Sequence, residues 1–290
     1  MGPRLASDEL LDQVTLILVT FHSAHCLDAL HGLLAHCPHI VVSDNGSTDG
    51  TTAQVGARWP QATVLEHGRN LGFGAANNRA LAQVKTPFAM LLNPDCEITP
   101  EGLRELLRAA HAMPEAAIVA PQLQGEPGRP DVNYRWPSTL WRSRGPGAEA
   151  AACVGFVVGA AMLFRLERFE GVGFFDERFF LYYEDDDLCL RLFQQHRPLV
   201  LWPAVPAVHR ARGSTKGKTP WKSEYLRGYH HAQSKLIYTA KHRSPAQARS
   251  QRWRVLAETT LALPLRAIAW SPRLLARMAG RWMGLLRWQG

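Results

Sequence analysis

Four short stretches decide the fold of this chain: VTLILVTF (residues 14–21), HIVVSD (39–44), ATVLE (62–66) and PFAMLLNPD (87–95). Each is an apolar run rich in β-branched residues, a pattern typical of a buried strand. Helical patterns fall between and after these runs, near residues 25–36, 48–58, 73–83 and 100–112. Because strands that alternate with helices pair in parallel, the sequence predicts an α/β fold with a mostly parallel sheet flanked by helices.

The middle of the chain has a different composition. Gly and Pro are frequent between Gln122 and Gly147, which predicts a loop. Apolar runs occur again at VGFVVGAAMLF (154–164) and PLVLWP (198–203), and we expect each of these runs to form one buried strand.

The last third of the chain has a helical pattern. We expect one helix to begin at the acidic cluster that starts with Glu184, since acidic side chains suit the positive end of a helix, and Asp187 is expected to cap it. After Pro220 the helical pattern continues to the end of the chain. Breaks in it are expected at Pro245, Pro264 and Pro272.

Composition excludes several classes of protein. The chain has 290 residues, 46% of them hydrophobic, and a mean hydropathy of −0.17, which is incompatible with a collagenous or wholly disordered protein. Its five cysteines are scattered singly with no C-x-x-C pair, so we expect neither a disulfide framework nor a structural zinc site. With no apolar signal-peptide core and no run of 18 apolar residues in the sequence, a cytoplasmic location is expected.

Charge is strongly segregated along the chain. Residues 197–290 contain 18 Lys and Arg and two acids, a net charge of +16, whereas the first 196 residues have a net charge of −8. A basic segment of this kind favours a polyanionic partner.

Polar residues follow each of the first four predicted strands. Ligands in open α/β sheets bind at the carboxyl ends of the strands, so these residues are candidates for a binding site. Asp-Asn-Gly is also an ordinary turn sequence, and taken alone Asp44 fits a turn as well as a ligand contact. The candidates are Thr20 and His22, Asp44 and Asn45, Asn70 and Gly72, and Asn93 and Asp95.

Five motifs occur along the chain in this order: VVSDNGSTDGT, GRNLGFGAANNRAL, LLNPDCEI, FVVGAAMLFRLERFEGVGFFDERFFLYYEDDDLCLRL and VHRARGS. Together they resemble the motifs of family 2 glycosyltransferases of the GT-A fold, and most closely the rhamnosyltransferase-like branch. The resemblance covers roughly residues 13 to 242 and implies a catalytic domain at 1–242, followed by a basic helical extension at 243–290.

The resemblance implies a nucleotide-sugar donor, with dTDP-rhamnose favoured and UDP-sugars as the alternative. Asp44 would accept a hydrogen bond from the imide N–H of a pyrimidine base, in a pocket lined by Thr20 and His22. Further donor-binding residues would be Asn45, Asn70, Gly72, Asn77, Asn93 and Arg212. For the glycine segment the alternative is a closely packed helix start, and for the segment around Arg212 it is a solvated basic loop.

The resemblance also implies a metal and a base. Asn93-Pro94-Asp95 stands where the family has its D-x-D motif, and His209 matches a histidine of the family. Asp95 and His209 would therefore bind Mg²⁺ or Mn²⁺. The cation would stabilise the departing diphosphate. Asp185 would take the proton from the acceptor hydroxyl, with inversion at the anomeric carbon, and Glu184 would orient the site. The alternative for the acidic cluster is a role in helix capping and solubility alone.

Seven arginines and four tryptophans alternate with apolar residues in the last 40 residues. Basic amphipathic helices of this kind lie at anionic membrane surfaces, so we expect peripheral attachment to the inner face of the cytoplasmic membrane and a lipid-linked or cell-envelope glycan as acceptor. Packing of these helices on the catalytic domain is the alternative. Nucleic acid is not an expected partner, because no recognised nucleic-acid module is present.

Two functions from other classes compete with sugar transfer. A nucleotidyltransferase that makes nucleotide sugars would need a Gly-rich, basic loop near the N-terminus to hold a triphosphate, and TFHSAH (20–25) does not provide one. A non-catalytic sugar-binding or membrane scaffold protein would not need Asp95 and Asp185, and both are present.

Overall fold

The structure, a computed structural model, describes residues 7–126, 128–131, 134–135, 147–210, 220–268 and 271–289. The strands within these ranges are β1 Val14–Thr20, β2 His39–Asp44, β3 Thr63–Glu66, β4 Phe88–Leu92, β5 Cys96–Glu97, β6 Ile118–Glu126, β7 Arg129–Pro130, β8 Ala152–Val154, β9 Ala161–Arg165 and β10 Leu199–His209. The α-helices are α1 Ser7–Leu11, α2 Leu27–Leu34, α3 Thr51–Arg58, α4 Phe73–Leu81, α5 Pro100–Ala112, α6 Glu184–Gln194, α7 Pro220–His242, α8 Pro245–Ile268 and α9 Pro272–Leu286.

One mixed sheet connects these strands in the order β3-β2-β1-β4-β9-β6-β10-β5. Pairing is parallel from β3 to β4, and the register sets Thr20 of β1 beside Asp44 of β2. In the other half, β9 pairs antiparallel with β4 and β6, and β10 pairs parallel with β6 and antiparallel with β5. Strands β7 and β8 lie off this order and pair antiparallel with β6 and β10. The α/β fold with flanking helices and a helical C-terminal region is thus confirmed, and the carboxyl ends of the first strands meet at one edge.

The core lies on both faces of this sheet. Leu16 and Leu18 of β1 pack into one apolar cluster and Ile17 packs into the other, and all three side chains are fully buried. This two-sided burial explains why the strands are continuous apolar runs without polar alternation.

Two predictions about the middle of the chain are wrong. The loop expected from Gln122 begins with the end of strand β6 instead, because residues 122–126 pair with β10 and β7 in spite of Gly125. Residues 127, 132–133 and 136–146 of that loop lie outside the described residues. The run 154–164 is not one strand, since β8 ends at Val154 and β9 begins at Ala161. The turn between them directs the amide of Gly159 toward the acidic cluster at the start of α6.

The three C-terminal helices pack closely together. Glycines make the approach of α7 and α9 possible: a Cβ added at Gly280 would lie 1.9 Å from the carbonyl oxygen of Tyr225. The break expected at Pro264 is also wrong, because α8 continues through it. Trp282 Nε1 of α9 donates a hydrogen bond to Thr260 Oγ1 at 3.0 Å, one turn before the proline, so tertiary packing holds α8 where local propensity would end it.

The division at residues 242 and 243 stays a prediction. Helix α7, on the N-terminal side of that boundary, contacts both parts of the protein. Its Ser234 Oγ donates a hydrogen bond to the carbonyl oxygen of Leu181 at 2.9 Å, and its Gln233 Nε2 donates to the carbonyl oxygen of Gly284 at 2.6 Å. Helix α7 therefore joins the extension to the segment that precedes α6.

Candidate active site

The carboxylate of Asp44 ties the end of β1 to the turn after β2. Thr20 Oγ1 and Ser47 Oγ donate hydrogen bonds to Oδ1 at 2.7 and 2.6 Å, and the amides of Gly46 and Ser47 donate to Oδ2 at 3.0 and 2.7 Å. A carboxylate has about four acceptor positions. For Asp44 to accept a hydrogen bond from a bound base, one of the two hydroxyl donors must therefore rotate away.

His22 lies next to this turn with a left-handed backbone, at a φ of 54°. Its amide donates a hydrogen bond to Ser47 Oγ at 2.8 Å, and the amide of Thr48 donates to its ring Nδ1 at 3.3 Å. Since Nδ1 is an acceptor here, the neutral ring bears its proton on Nε2. The fold thus brings His22 to the Thr20–Asp44 pair through the Ser47 turn.

Asn45 connects this turn to the loop after β3. Its Oδ1 accepts a hydrogen bond from the Leu71 amide at 3.1 Å, its Nδ2 donates to the Gly72 carbonyl at 3.2 Å, and its amide donates to the Thr20 carbonyl at 2.8 Å. Asn70 Oδ1 accepts from the Gly72 amide at 2.9 Å. The three strand-end loops therefore form one hydrogen-bonded unit.

Gly72 lies against the segment that precedes α6. Its φ is 93°, and an added Cβ would lie 2.4 Å from the Phe180 carbonyl oxygen, so only glycine fits. The next amide, that of Phe73, donates a hydrogen bond to the same oxygen at 3.0 Å. Asn77 is buried in α4, where its Nδ2 donates to the Phe73 carbonyl at 3.0 Å, so its amide group is bonded within its own helix.

Antiparallel pairing of β5 with β10 brings the expected metal ligands together. Cys96 pairs with His209, and the Arg210 amide donates a hydrogen bond to the Asp95 carbonyl at 2.9 Å. His209 Nε2 consequently lies 3.6 Å from Asp95 Oδ1. A carboxylate oxygen and an imidazole nitrogen are donors that suit Mn²⁺ or Mg²⁺. No group of three potential metal-binding side chains occurs within the described ranges, so these two donors would form only part of a coordination shell.

A strained turn precedes the acidic cluster. Tyr182 and Tyr183 both have left-handed backbones, with φ of 70° and 67°, and Tyr183 is the residue before the first turn of α6. Such conformations cost roughly 1–3 kcal/mol each and are concentrated at functional sites. The ring of His231 on α7 lies 5.7 and 5.4 Å from the two tyrosine rings and packs against the turn.

The first two acids of α6 differ in environment. Burial raises the pKa of Glu184 well above its usual range, and the charge of Asp185 raises it further. In the described part of the chain, Oε2 of Glu184 has no hydrogen-bond partner. The Gly159 amide donates to Asp185 Oδ2 at 3.1 Å and the Asp186 amide to Oδ1 at 2.9 Å. Burial, followed by the charge of Asp186, raises the pKa of Asp185 to about 6.

Asp187 does not cap α6. It is fully buried, and its carboxylate contacts Arg191 Nε at 2.9 Å, Lys241 Nζ at 2.6 Å and His242 Nε2 at 2.7 Å. The expected capping role is therefore wrong: this carboxylate points into the protein and joins α6 to the end of α7.

A two-residue turn connects the expected base to the expected metal-binding segment. Gly159, whose amide binds Asp185, is followed by Ala160, whose carbonyl oxygen accepts a hydrogen bond from the Asn93 amide at 2.8 Å. An added Cβ on Gly159 would lie 3.6 Å from Cβ of Asp185 and 3.3 Å from the Phe73 ring. The two halves of the candidate site are thus held together by main-chain hydrogen bonds.

Sequence reasoning missed Arg135, which pairs with Asp186. Its guanidinium carbon also lies 4.0 Å from the centre of the Phe156 ring. Arg135 is one cation in a segment with no periodicity, and the only sequence signal is its position among the aromatic residues Tyr134 and Trp136. Arg212, an expected donor-binding residue, lies outside the described residues.

The sequence matches the family model "Glycosyl transferase family 2" over residues 16–169, which contain the strand ends, Asp95 and the Gly159 turn. The protein belongs to this family. In 245 aligned residues it is 30% identical to the N-acetylglucosaminyl-diphospho-decaprenol L-rhamnosyltransferase of Mycobacterium tuberculosis, covering 74% of this chain and 78% of the relative. It is therefore a rhamnosyltransferase-like member of the family and a glycosyltransferase.

Two other proteins are similar to this chain. The low-salt glycan biosynthesis hexosyltransferase Agl10 of Haloferax volcanii is 28% identical over 211 residues, 69% of this chain and 68% of that protein. The mannosyltransferase PcManGT of Pyrobaculum calidifontis, solved with GDP-Man and Mn²⁺, superposes with a TM-score of 0.57 at 16% identity over 94% of this chain and 86% of its own. At that identity the second comparison bears on the fold alone.

Proposed function

We propose that this family 2 glycosyltransferase transfers rhamnose from dTDP-rhamnose to a hydroxyl of a lipid-linked or cell-envelope glycan, with inversion. The mycobacterial relative is named for an L-rhamnosyl transfer to N-acetylglucosaminyl-diphospho-decaprenol, which supports the sugar and the acceptor class. The observation on which the proposal depends most is the Gly159–Ala160 turn, which binds Asp185 with one residue and Asn93 with the next.

Asp185 is the proposed base. Its carboxylate is held by two main-chain amides, so its orientation is set before substrate arrives. With a pKa of about 6 it is ionised at neutral pH and basic enough to take a proton from an acceptor hydroxyl as that oxygen attacks the anomeric carbon. Burial and the charge of Asp185 raise the pKa of Glu184, which favours its neutral form, and a neutral carboxyl group could orient the site by donating a hydrogen bond.

The donor would lie along the joined strand ends. Thr20, His22, Asp44 and Asn45 are proposed to contact the nucleoside, while Asn70, Gly72, Asn77, Asn93 and Arg212 are proposed to line the rest of the donor pocket. Asp95 and His209 would hold Mg²⁺ or Mn²⁺, with phosphate oxygens of the donor in most other coordination positions. The cation would supply charge stabilisation to the leaving diphosphate.

Titration calorimetry with dTDP-rhamnose in the presence and absence of Mn²⁺ tests this assignment. Wild-type protein should bind the donor more tightly with Mn²⁺, and Asp95→Asn should remove most of that gain, because the amide lacks the charge that a hard cation prefers. Asp12→Asn, a change at an exposed position, is the control and should retain the gain. Equal Mn²⁺ dependence in Asp95→Asn and wild type would refute the metal assignment, and donor binding without transfer to any acceptor would favour the scaffold alternative.

Peripheral attachment to the inner face of the cytoplasmic membrane is part of the proposal. No helix in the described part of the chain is long and apolar enough to cross a bilayer. Most of the large apolar side chains that are exposed among the described residues lie on the basic C-terminal helices, namely Trp221, Leu226, Trp253, Leu261, Leu274 and Leu286. Exposed apolar groups among arginines suit the interface of an anionic bilayer.

Co-sedimentation with vesicles that contain anionic lipid tests this attachment. We expect binding that weakens with added salt, and the variants Trp253→Gln and Leu261→Gln should each lower partitioning about three- to tenfold, since each removes apolar area from the interface. These side chains are 61% and 76% exposed, so the fold should tolerate the changes. Phe193→Gln on α6, where the ring is 40% exposed, is the matched control. Equal binding to neutral vesicles would argue against an electrostatic attachment.

A further inference from the structure

Arg135 is held in place from several sides. Its amide donates a hydrogen bond to the Phe156 carbonyl at 3.2 Å, and its own carbonyl accepts one from the Gly155 amide at 2.7 Å. Its guanidinium group stacks on the Phe156 ring and pairs with Asp186. Both side chains of this ion pair are mostly buried, with 26% of Arg135 and 13% of Asp186 exposed.

The pair lies next to the proposed base. Asp186 follows Asp185 in α6, and its amide is one of the two that bind the Asp185 carboxylate. The charge of Asp186 raises the pKa of Asp185 and the charge of Arg135 lowers it. Among the described residues, the other titratable groups that face Asp185 or the pair are Glu184 and Cys189 of α6, Tyr183 before it and Tyr238 of α7.

We propose that Arg135 and Asp186 are positioning residues for Asp185. The two side chains form an ion pair beside it, and the balance of their opposite charges sets the pH range in which the base is ionised. This inference rests on the proposed function, because it assumes that Asp185 acts as the base. Charges interact strongly where water is largely excluded, so removing either partner leaves the other unbalanced next to Asp185.

The pH profile of kcat/KM for sugar transfer tests the proposal. Arg135→Gln removes a positive charge and should move the acid limb upward by about one pH unit, whereas Asp186→Asn removes a negative charge and should move it downward by a similar amount. The double variant Arg135→Gln/Asp186→Asn should return close to the wild-type profile. Opposite shifts from the two partners of one ion pair are not expected from a purely structural contact.

Two further variants control for charge and for location. Arg135→Lys keeps the charge and should keep the acid limb near its wild-type position, while Arg129→Gln removes an exposed arginine from the same Gly- and Pro-rich segment and should change nothing. Loss of turnover in both single variants without any shift would overturn the proposal. A higher KM in Arg135→Gln with an unmoved acid limb would also overturn it, because the arginine would then bind substrate.

Failure of this inference can be told apart from failure of the proposed function. Carbon-13 NMR titration of the Asp185 carboxyl measures the same shifts in its titration midpoint without any turnover. The carboxyl signal is assigned by its absence in Asp185→Asn. Opposite shifts in that titration support the electrostatic balance even where Asp185→Asn remains active. Unmoved titration curves refute the balance even where Asp185→Asn is inactive. If Arg135→Gln does not fold, Asp186→Asn and the double variant still test the predicted signs.

Discussion

Asp185→Asn is expected to lower the rate of sugar transfer by about 100-fold or more, while nucleotide-sugar binding stays nearly unchanged. The asparagine side chain has the shape of the carboxylate but cannot take a proton from the acceptor. It also keeps only one of the two hydrogen bonds that the main-chain N–H groups of Gly159 and Asp186 donate to Asp185, since the side-chain nitrogen of asparagine is not an acceptor. Donor affinity measured by calorimetry therefore has to accompany the rate, to show that the site is still formed.

Asp28→Asn is the matched control for this variant, because Asp28 has the same chemistry at a position that is 85% exposed. Near wild-type turnover in Asp185→Asn would remove Asp185 from the role of base. The pH dependence has a definite sign: the base works in its ionised form, so wild-type kcat/KM should fall as pH decreases through about 6, where Asp185 takes up a proton.

Asp187→Ala is expected to lower the free energy of unfolding by about 3–5 kcal/mol. The wild-type carboxylate is fully buried and contacts Arg191, Lys241 and His242. Its loss removes the carboxylate that balances the largely buried Arg191 and leaves Asp176 as the acidic partner of Lys241. Urea unfolding monitored by circular dichroism measures the difference. The effect should be large because water cannot replace the missing carboxylate at this position.

The control is again Asp28, which pairs with Arg58 at 2.5 Å on the surface. Asp28→Ala should cost no more than about 1 kcal/mol, because solvent screens an exposed pair and hydrates the arginine that remains. The Asp28–Arg58 distance is similar to the distances of 2.6 to 2.9 Å at Asp187, so the two sites differ in burial and in the number of partners, one against three. Similar destabilisation in the two variants would show that burial does not govern the Asp187 contacts.

Local pattern was enough to predict much of the fold. The strands at 14–21, 39–44, 62–66 and 87–95 follow from continuous apolar runs, and the helices between them follow from a helical repeat of apolar residues, because both patterns report burial. Prediction failed where tertiary contacts outweighed local signals. Strand β6 continues through Gly125 because β10 and β7 pair with its second half, and α8 continues through Pro264 because α9 packs against it.

The candidate site divides in the same way. Residues at strand ends, such as Thr20, Asp44 and Asp95, could be selected from sequence alone because parallel strands place their carboxyl ends at one edge. The four consecutive acids of α6 could be found from sequence, but their environments could not, and the capping role expected of Asp187 was wrong. Their different environments come from groups that are distant in sequence: Gly159 for Asp185, Arg135 for Asp186 and the end of α7 for Asp187.

By itself, then, the sequence determined the first four strands and the helices between them, the family and the acids available for chemistry, since each of these depends on residues close together in the chain. Only the tertiary structure decided which groups each acid contacts. Hydrogen bonds and charges act over a few ångströms in space, and Arg135 and Asp186 are separated by 51 positions in the chain. No local pattern encodes such a contact, so the charge balance around Asp185 could be seen only once the chain was folded.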